Sequence, residues 1–219
     1  MEQKEKINKT SESFYPMEIE DQKSLWNRIA PEWHKHKEKP SENAVKFLEN
    51  TKGNVLDLGS GSGRHLMKIK EGKMFLSDFS ERMLELAKGK AEEKKIPAEF
   101  LQNELDDIPK PDNFFDYAIC ISALHCIPTE SKREAVVKEL SRVLKPEGEA
   151  YIGVWNAESK RLKRKNKGKE RFIAWTDKGK RYYHLFDEKE AHGLFEKAGF
   201  KILSTHNSEM MINFVIKKL

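Results

Sequence analysis

The sequence predicts an α/β protein with a doubly wound, mostly parallel sheet of seven strands, helices on both faces and an antiparallel last strand. From residue 41 onwards, short apolar segments typical of strands alternate with segments whose apolar residues recur at helical spacing. A glycine-rich turn, Gly59–Gly63, follows the first predicted strand directly. Because 219 residues suffice for one sizeable core, we expect a single domain over residues 25–219, preceded by a polar extension over residues 1–24.

The elements can be assigned in order along the chain. An aromatic-bearing helix over residues 25–33 is expected to act as a lid on the carboxyl ends of the strands. Ser41, Ser80 and the pair Asp187 and Glu190 are typical of helix starts, whereas Gly199 is typical of a helix end. The predicted strands cover residues 54–58, 73–78, 98–102, 115–122, 149–155, 200–204 and 211–216.

The charge is unevenly distributed. The net charge is +5, and the segment from Lys160 to Arg171 contains eight Lys or Arg residues and one acid, Glu170. This basic loop, at about residues 158–172, is either a solvated loop or a surface that contacts phosphates.

Cysteine content and hydropathy predict the compartment. The two cysteines, Cys120 and Cys126, lie in one apolar stretch and predict neither a disulfide framework nor a metal site. The first residues lack the apolar core of a signal peptide, and no run approaches the roughly 18 apolar residues of a membrane span. We therefore expect a cytoplasmic protein with no membrane partner.

The glycine turn predicts a site where a ligand approaches the backbone closely. The strand that ends near Asp57 passes directly into Gly59, Gly61 and Gly63. A nicotinamide fingerprint would require glycine where Arg64 stands, and a phosphate-binding P-loop would require Gly-Lys-Ser/Thr at its end. Asp78, at the end of the second strand and 21 positions after Asp57, can accept hydrogen bonds from ribose hydroxyls.

The segment Val55–Gly63 resembles the motif V-L-D-x-G-x-G-x-G of the class I S-adenosylmethionine-dependent methyltransferases, and the resemblance covers about residues 41–219. It implies a Rossmann-like fold and S-adenosyl-L-methionine as cofactor, with S-adenosyl-L-homocysteine as product. By this resemblance, Asp57 and the glycine turn hold the methionine end, Asp78 the ribose and Glu104 the adenine amine; Asp106 and Asp107 are alternatives to Glu104. The residues expected to contact the cofactor are Asp57, Gly59, Gly61, Gly63, Arg64, Asp78, Phe79, Met83, Glu104, Leu105 and Ser122.

A second resemblance concerns the acceptor. Residues 26–31, 37–40, 125, 154–155, 172–175 and 181–186 together are similar to the methyltransferases that esterify 5-carboxymethyluridine at the tRNA wobble position. Arg181–Leu185 is the most specific of these segments. The chain departs from the family at Cys126, where a second histidine is usual, and at Lys37, Ser41 and Ile127.

The resemblance implies a site that positions a carboxylate and needs no general base, since the acceptor is already ionised at neutral pH. The candidate catalytic residues are Lys37, His125, Arg181 and His184. Alternatively, Arg181 and His184 hold the start of the following helix, and His125 is a hydrogen-bonded support. Substrate contacts are expected from Trp26, Trp155, Trp175, Tyr182, Lys163, Arg164 and Lys165; for Trp155, Trp175 and Tyr182, core packing is the alternative.

The implied partners are the tRNA anticodon loop and a small zinc-binding activator subunit. In such complexes the activator adds a strand to the sheet, and the strand at Ala98–Leu101 would be the docking edge. Two other functions stay open from the sequence. One is a small-molecule methyltransferase whose Lys-rich segment is only a solvated loop. The other is a cofactor-binding adaptor without catalysis.

Overall fold

The computed structural model describes residues 21–162 and 168–219, and a single large sheet forms its centre. In these residues, no helix combines the length and the apolar character that crossing a bilayer demands. The helices are α1 (Gln22–His36), α2 (Glu42–Glu49), α3 (Glu81–Lys94), α4 (Glu130–Val143) and α5 (Glu188–Glu196), with a 3₁₀ turn at Leu124–Cys126. The strands are β1 (Lys52–Leu58), β2 (Lys70–Asp78), β3 (Ala98–Gln102), β4 (Phe115–Ile121), β5 (Leu144–Trp155), β6 (Glu170–Ala174), β7 (Lys180–His184), β8 (Phe200–Thr205) and β9 (Met211–Lys218).

The large sheet has the order β3-β2-β1-β4-β5-β9-β8, and β9 is antiparallel to both of its neighbours. The predicted seven-stranded, mostly parallel sheet with an antiparallel last strand is therefore confirmed. The direction of winding reverses between β1 and β4, and ligands of such sheets bind in the crevice beyond the carboxyl ends of the strands at this point. β3, the predicted docking strand, lies at one edge of the sheet.

Apolar side chains of the strands and helices form two core clusters, one on each side of the sheet. One cluster includes Leu56, Phe75 and Val137, and the other includes Val55, Leu76 and Ile119. Because successive residues of a strand point to opposite faces, Val55 and Leu56 serve different clusters. This two-sided burial explains the nearly continuous apolar runs of the central strands.

The helix starts agree with the sequence in two of three places. Ser80 and Asp187 cap α3 and α5, since their side chains accept hydrogen bonds from the backbone N–H groups of Met83 and Glu190. Ser41 occupies the cap position of α2 without a side-chain hydrogen bond. The capping box of α5 is half formed, because the Glu190 carboxylate binds His184 and Lys169.

The structure adds an element that the sequence analysis did not predict. β6 and β7 form a separate antiparallel hairpin, and its first strand begins at Glu170, inside the segment assigned to the basic loop. Helix α1 begins at Gln22, before the predicted start of the lid helix and inside the predicted extension. Helix α1 packs on α3 and contacts β7, so it lies between α3 and this hairpin.

Candidate active site

Three glycines shape the turn after β1. Gly59, Gly61 and Gly63 all have positive φ angles, of 73°, 52° and 70°, a conformation that favours residues without a Cβ. A Cβ on Gly59 would lie 2.2 Å from the Cβ of Ala123, and one on Gly63 would lie 3.1 Å from the Cβ of Ala87. The turn is therefore pressed against the 3₁₀ turn on one side and against α3 on the other.

Asp57 lies beneath this turn and is almost fully buried. Its Oδ2 atom has no hydrogen-bond partner among the described residues. Burial raises the pKa of Asp57 to about 7, a shift that nearby Arg64 opposes and Asp78 reinforces. A buried carboxylate oxygen without a donor is suited to a cationic or hydrogen-bonding ligand.

Asp78, at the end of β2, closes the turn from the other side. Its Oδ2 accepts a hydrogen bond from the backbone N–H of Gly61 at 2.8 Å, and its Oδ1 accepts one from that of Ser80 at 2.9 Å. Burial raises the pKa of Asp78 to about 6. Each carboxylate oxygen retains a lone pair for a further donor, such as a ribose hydroxyl.

A cavity of about 460 Å³ opens beyond the carboxyl ends of β1, β2, β4 and β5. Nine of the predicted cofactor residues line it: Gly59, Gly61, Arg64, Asp78, Phe79, Met83, Glu104, Leu105 and Ser122. Asp57 and Gly63 lie behind its wall. Four of the residues predicted to be catalytic or to contact the substrate also line it: Trp26, Lys37, His125 and Trp155. The turn and these four side chains thus share one continuous space.

His125 is buried in the 3₁₀ turn after β4, with one ring nitrogen occupied. Its Nδ1 accepts a hydrogen bond from the backbone N–H of Trp155 at 3.1 Å. Burial lowers the pKa of His125 to about 3, so the ring is neutral at physiological pH. The proton therefore resides on Nε2, which has no partner among the described residues and is a hydrogen-bond donor for a ligand.

An aromatic platform surrounds His125. The rings of Trp155 and Tyr183 are stacked with centroids 4.3 Å apart, and the His125 ring lies 5.0 Å from Trp155 and 5.6 Å from Tyr183. Trp155 and Tyr183 both line the cavity. Such a platform can stack a planar ligand.

Arg181 is buried in an aromatic cage next to the platform. Its guanidinium carbon lies 5.1, 4.8 and 5.3 Å from the ring centroids of Trp33, Trp175 and Tyr183. Nη1 donates to the Tyr183 hydroxyl at 2.7 Å, and buried Nε has no hydrogen-bond partner. In residues 21–162 and 168–219, no carboxylate forms an ion pair with this guanidinium.

Lys37 brings a second cation to the cavity. It is half-buried at the end of α1, and its Nζ lies 5.6 Å from the ring centroid of Trp33. Burial is the main cause that lowers its pKa, and the neighbouring cations Arg64, Arg181 and Arg161 add to the effect. These cations give this side of the cavity a positive charge.

His184 and Tyr182 lie on the opposite face of β7, outside the cavity lining. His184 is held between two carboxylates, with Nδ1 2.8 Å from Glu170 and Nε2 2.7 Å from Glu190. The Tyr182 hydroxyl donates to the Pro128 carbonyl and lies against Glu170. Both residues therefore connect the hairpin to α5 and to the turn that follows β4.

The remaining predicted residues are placed as follows. Trp175 lies outside the cavity lining, in the cage around Arg181, where its Nε1 donates to Glu32 at 2.6 Å. Lys163, Arg164 and Lys165 lie outside the described residues. Within the described part of the chain, no cluster of three or more metal-ligating side chains occurs.

Among the residues that line the cavity, the sequence did not single out Trp33, and it left open which of Tyr182 and Tyr183 packs in the core and which stacks on a base. Trp33 belongs to the predicted lid helix. Tyr183 lies two residues from Arg181, so strand alternation places both side chains on one face of β7, whereas Tyr182 and His184 share the other face. Alternation would have identified Tyr183 if the segment had been recognised as a strand.

Sequence comparison finds relatives along most of the chain. The methyltransferase domain family matches residues 55–148. A protein of Encephalitozoon cuniculi named as a methyltransferase is 30% identical over 183 residues, which cover 79% of this chain and 83% of that protein. A tRNA (carboxymethyluridine(34)-5-O)-methyltransferase of Schizosaccharomyces pombe is 26% identical over 207 residues, which cover 82% of this chain and 88% of the relative.

Solved structures share the fold. An S-adenosylmethionine-dependent methyltransferase of Methanosarcina mazei has a TM-score of 0.70 at 21% identity, covering 83% of this chain and 99% of that chain. A Haloferax volcanii methyltransferase, solved in complex with the Trm112 methyltransferase activator, has a TM-score of 0.68 at 18% identity. That match covers 88% of this chain and 96% of the Haloferax chain.

Proposed function

Because the chain belongs to the class I S-adenosylmethionine-dependent methyltransferases, we propose that it methylates the carboxylate of 5-carboxymethyluridine at the wobble position of tRNA. The observation that carries this proposal is Arg181, a buried guanidinium without a carboxylate partner among the described residues, beside the cavity that holds the glycine turn. A buried cation of this kind is stabilised by an anionic ligand. The likeness to the Schizosaccharomyces pombe enzyme supports the same acceptor.

The residues around the turn fit the cofactor. The unpartnered Oδ2 of Asp57 suits the ammonium group of the methionine end, and the carboxylate of Asp78 suits the ribose hydroxyls. Phe79, Met83 and Leu105 offer apolar contacts to the adenine, with Glu104 and Asp106 nearby for its amine. A Cβ on Gly61 would contact only the Met83 sulfur, at 4.0 Å, so the backbone there is accessible to the ligand.

The reaction makes few chemical demands on the protein. The cofactor supplies an electrophilic methyl group on a sulfonium. Methyl transfer to a carboxylate oxygen would form an O–C bond as the S–C bond breaks, and would replace an anion and a cation by an ester and a neutral thioether. Because no proton would be transferred, no residue of this chain has to act as a base. Positioning the two reactants in line therefore accounts for most of the acceleration. The charge of the carboxylate must be balanced without being bound so strongly that it loses nucleophilicity.

Three side chains share the task of holding the carboxylate. Arg181, which lies just outside the cavity lining, lends its positive charge and its unpartnered Nε–H. Lys37 adds charge from the same side of the cavity, and His125 donates from Nε2 as a neutral group. The Trp155 and Tyr183 platform stacks the uracil ring. His184 acts indirectly in this scheme, since its contacts to Glu170 and Glu190 fix the strand that carries Arg181.

Cationic side chains hold the tRNA around the target base. An anticodon loop is single-stranded, so its bases can be splayed onto aromatic side chains while cations hold its phosphates. The segment with Lys163, Arg164 and Lys165 supplies the cations, as does Arg161, which lies close enough to Lys37 to lower its pKa. The cytoplasm is the proposed compartment, in agreement with the free thiols of Cys120 and Cys126.

A small activator subunit is the proposed protein partner. β3 lies at an edge of the sheet, where its outer backbone groups are available to an added strand. The Haloferax methyltransferase with a similar fold was solved in complex with such an activator.

The test uses labelled cofactor and two tRNA preparations, one with 5-carboxymethyluridine at the wobble position and one with unmodified uridine. Label should enter only the first, and mass spectrometry should identify the methyl ester in the digested nucleosides. Each reaction is run with and without the activator. Equal labelling of both preparations, or of neither, contradicts the acceptor. Labelling of a metabolite extract instead supports a small-molecule methyltransferase, and cofactor binding without any labelling supports an adaptor.

Arg181 provides the site-directed arm of the test. Arg181→Ala should lower kcat/KM for the modified tRNA about 100-fold, because a charge-assisted contact to the carboxylate is lost in a buried site. Cofactor affinity should stay within about twofold. Lys180→Ala, an exposed neighbour on the same strand, is the matched control and should behave as the wild type in this comparison.

A further inference from the structure

Helix α1 is attached to the cofactor side of the cavity through the side chain of Asn27. The Oδ1 atom of Asn27 accepts hydrogen bonds from Oγ of Ser80 at 2.7 Å and from the backbone N–H of Arg82 at 3.2 Å. Ser80 is fully buried, and its backbone N–H donates to Oδ1 of Asp78. Ser80 thus links Asn27 to the Asp78 carboxylate by hydrogen bonds.

The Ser80 hydroxyl has two roles at this link. It accepts the N-cap hydrogen bond from the backbone N–H of Met83 at 3.2 Å, and it donates its proton to Asn27. Without Asn27, this fully buried hydroxyl loses its acceptor and turns towards other oxygens. The start of α3, including the N–H group that orients Asp78, would then lose its fixed geometry.

The opposite side of α1 is held by the hairpin. The Gln22 side chain accepts from the backbone N–H of Tyr182 at 3.1 Å, Arg28 donates to the Lys178 carbonyl at 2.8 Å, and Glu32 accepts from Trp175. An apolar cluster of Leu25, Trp26, Ile29, Ala30 and Met83 fills the space between α1 and α3. The helix is therefore a fixed support for Asn27.

We propose that Asn27 is a positioning residue for cofactor binding, which acts through Ser80 to hold the Asp78 carboxylate in the orientation that receives the ribose hydroxyls. Asn27 does not line the cavity, so it acts without touching the ligand. The inference rests on the proposed contact between Asp78 and the ribose, and it is independent of the tRNA acceptor.

The experiment measures S-adenosylhomocysteine binding by calorimetry, with thermal melts of every variant. Asn27→Ala should weaken binding about tenfold. Asn27→Asp should restore it to within about threefold, because both partners of Asn27 donate and a carboxylate oxygen can accept from both. Lys35→Ala, an exposed position on the same helix, is the matched control and should change neither binding nor melting.

A second ligand separates positioning from a general loss of structure. The 2′-deoxy analogue of S-adenosylhomocysteine lacks a hydroxyl that Asp78 is proposed to receive. If Asn27 acts through Asp78, Asn27→Ala should weaken binding of the analogue by less than about threefold. An equal loss for both ligands, or no loss for either, overturns the inference. Because no acceptor is present, these outcomes are unaffected if the tRNA proposal fails.

Discussion

Asp57 and Asp78 are both buried beside the glycine turn, and burial raises their pKa values to about 7 and about 6. Each carboxylate thus lacks the solvation that would favour its charge at neutral pH. A ligand that brings a positive charge to Asp57, and hydroxyl donors to Asp78, replaces part of that solvation. Cofactor binding and the ionisation of these two residues should therefore be linked.

The linkage predicts the sign of the pH dependence of binding. Below pH about 7, Asp57 in the free protein is mostly protonated, and binding of the cofactor ammonium must release that proton. The Kd for S-adenosylhomocysteine should therefore fall as pH rises from about 5.5 to 7, and level off above it. Calorimetry in two buffers of different ionisation enthalpy would measure the proton release directly.

Asp57→Asn is the matched variant for this measurement. It removes the titrating group, so its binding should be weaker and should depend on pH only below about 6, where Asp78 takes up its proton. A wild-type Kd that is constant from pH 5.5 to 7.5 would show that neither carboxylate meets the cofactor.

The elements of the large sheet could be predicted from the sequence, whereas the hairpin could not. Central strands such as β4 are buried on both faces and are read as apolar runs. β6 alternates between exposed and half-buried residues and begins within the basic loop. The sequence of its five residues is therefore hard to distinguish from that of a solvated loop. The hairpin carries Arg181 and Tyr183. Because its second strand was not predicted, the sequence did not show that Arg181 and Tyr183 share one face and that Tyr182 and His184 share the other.

Other contacts of the site depend on residues far apart in the chain. The link from Asn27 to Ser80 joins positions 53 residues apart, and His125 meets the backbone of Trp155 across 30 residues. Neither pair has a local sequence signal. The glycine turn was predictable because its positive φ angles require residues without a Cβ, so the glycines themselves are a local signal in the sequence.

Two glycines in different elements should respond oppositely to the same substitution. Gly89 lies in the middle of α3, and a Cβ there would meet nothing within 4 Å, so Gly89→Ala should stabilise the protein by about 1 kcal/mol through helix propensity. Gly59→Ala would force a Cβ against Ala123 at positive φ and should destabilise the fold and weaken cofactor binding.

Thermal melts and S-adenosylhomocysteine titrations of both variants check this prediction. Gly89→Ala should raise the Tm by about 2–4 °C at unchanged affinity. A Gly59→Ala protein with wild-type Tm and affinity would mean that the turn is not pressed against the 3₁₀ turn as described.

At the scale of the whole molecule, the chain is basic, but acidic side chains surround the glycine turn. The net charge is +5, yet the acids Asp57, Asp78 and Glu104 lie around the glycine turn, with Arg64 beside Asp57. The cations Lys37 and Arg181 lie near Trp33, on the side where the acceptor is proposed to bind. This arrangement suits a cationic methyl donor and an anionic polymer in one cavity. Electrostatic attraction for the tRNA should extend beyond the cavity to the basic loop.

That attraction predicts that the affinity for RNA depends on salt concentration, and that mutation of the basic loop reduces this dependence. The affinity for an anticodon stem-loop should fall steeply with salt concentration, because each phosphate contact releases counterions. Changing Lys163, Arg164 and Lys165 to alanine removes three positive charges. If each contacts a phosphate of the single-stranded loop, the slope of log K against log salt should become shallower by about 2, at about 0.7 per contact. Fluorescence anisotropy at several salt concentrations measures this slope.

The control for this prediction changes three lysines on other elements, Lys46, Lys88 and Lys201, to alanine and so removes the same net charge. Its slope should match the wild type if attraction is local to the basic segment, and S-adenosylhomocysteine affinity should be unchanged in both triple variants. Equal slopes for the wild type and the variant of the basic segment would mean that the segment is a solvated loop. Equal reductions in both triple variants would instead assign the salt dependence to net charge, because long-range attraction depends on the sum of charges and not on their position.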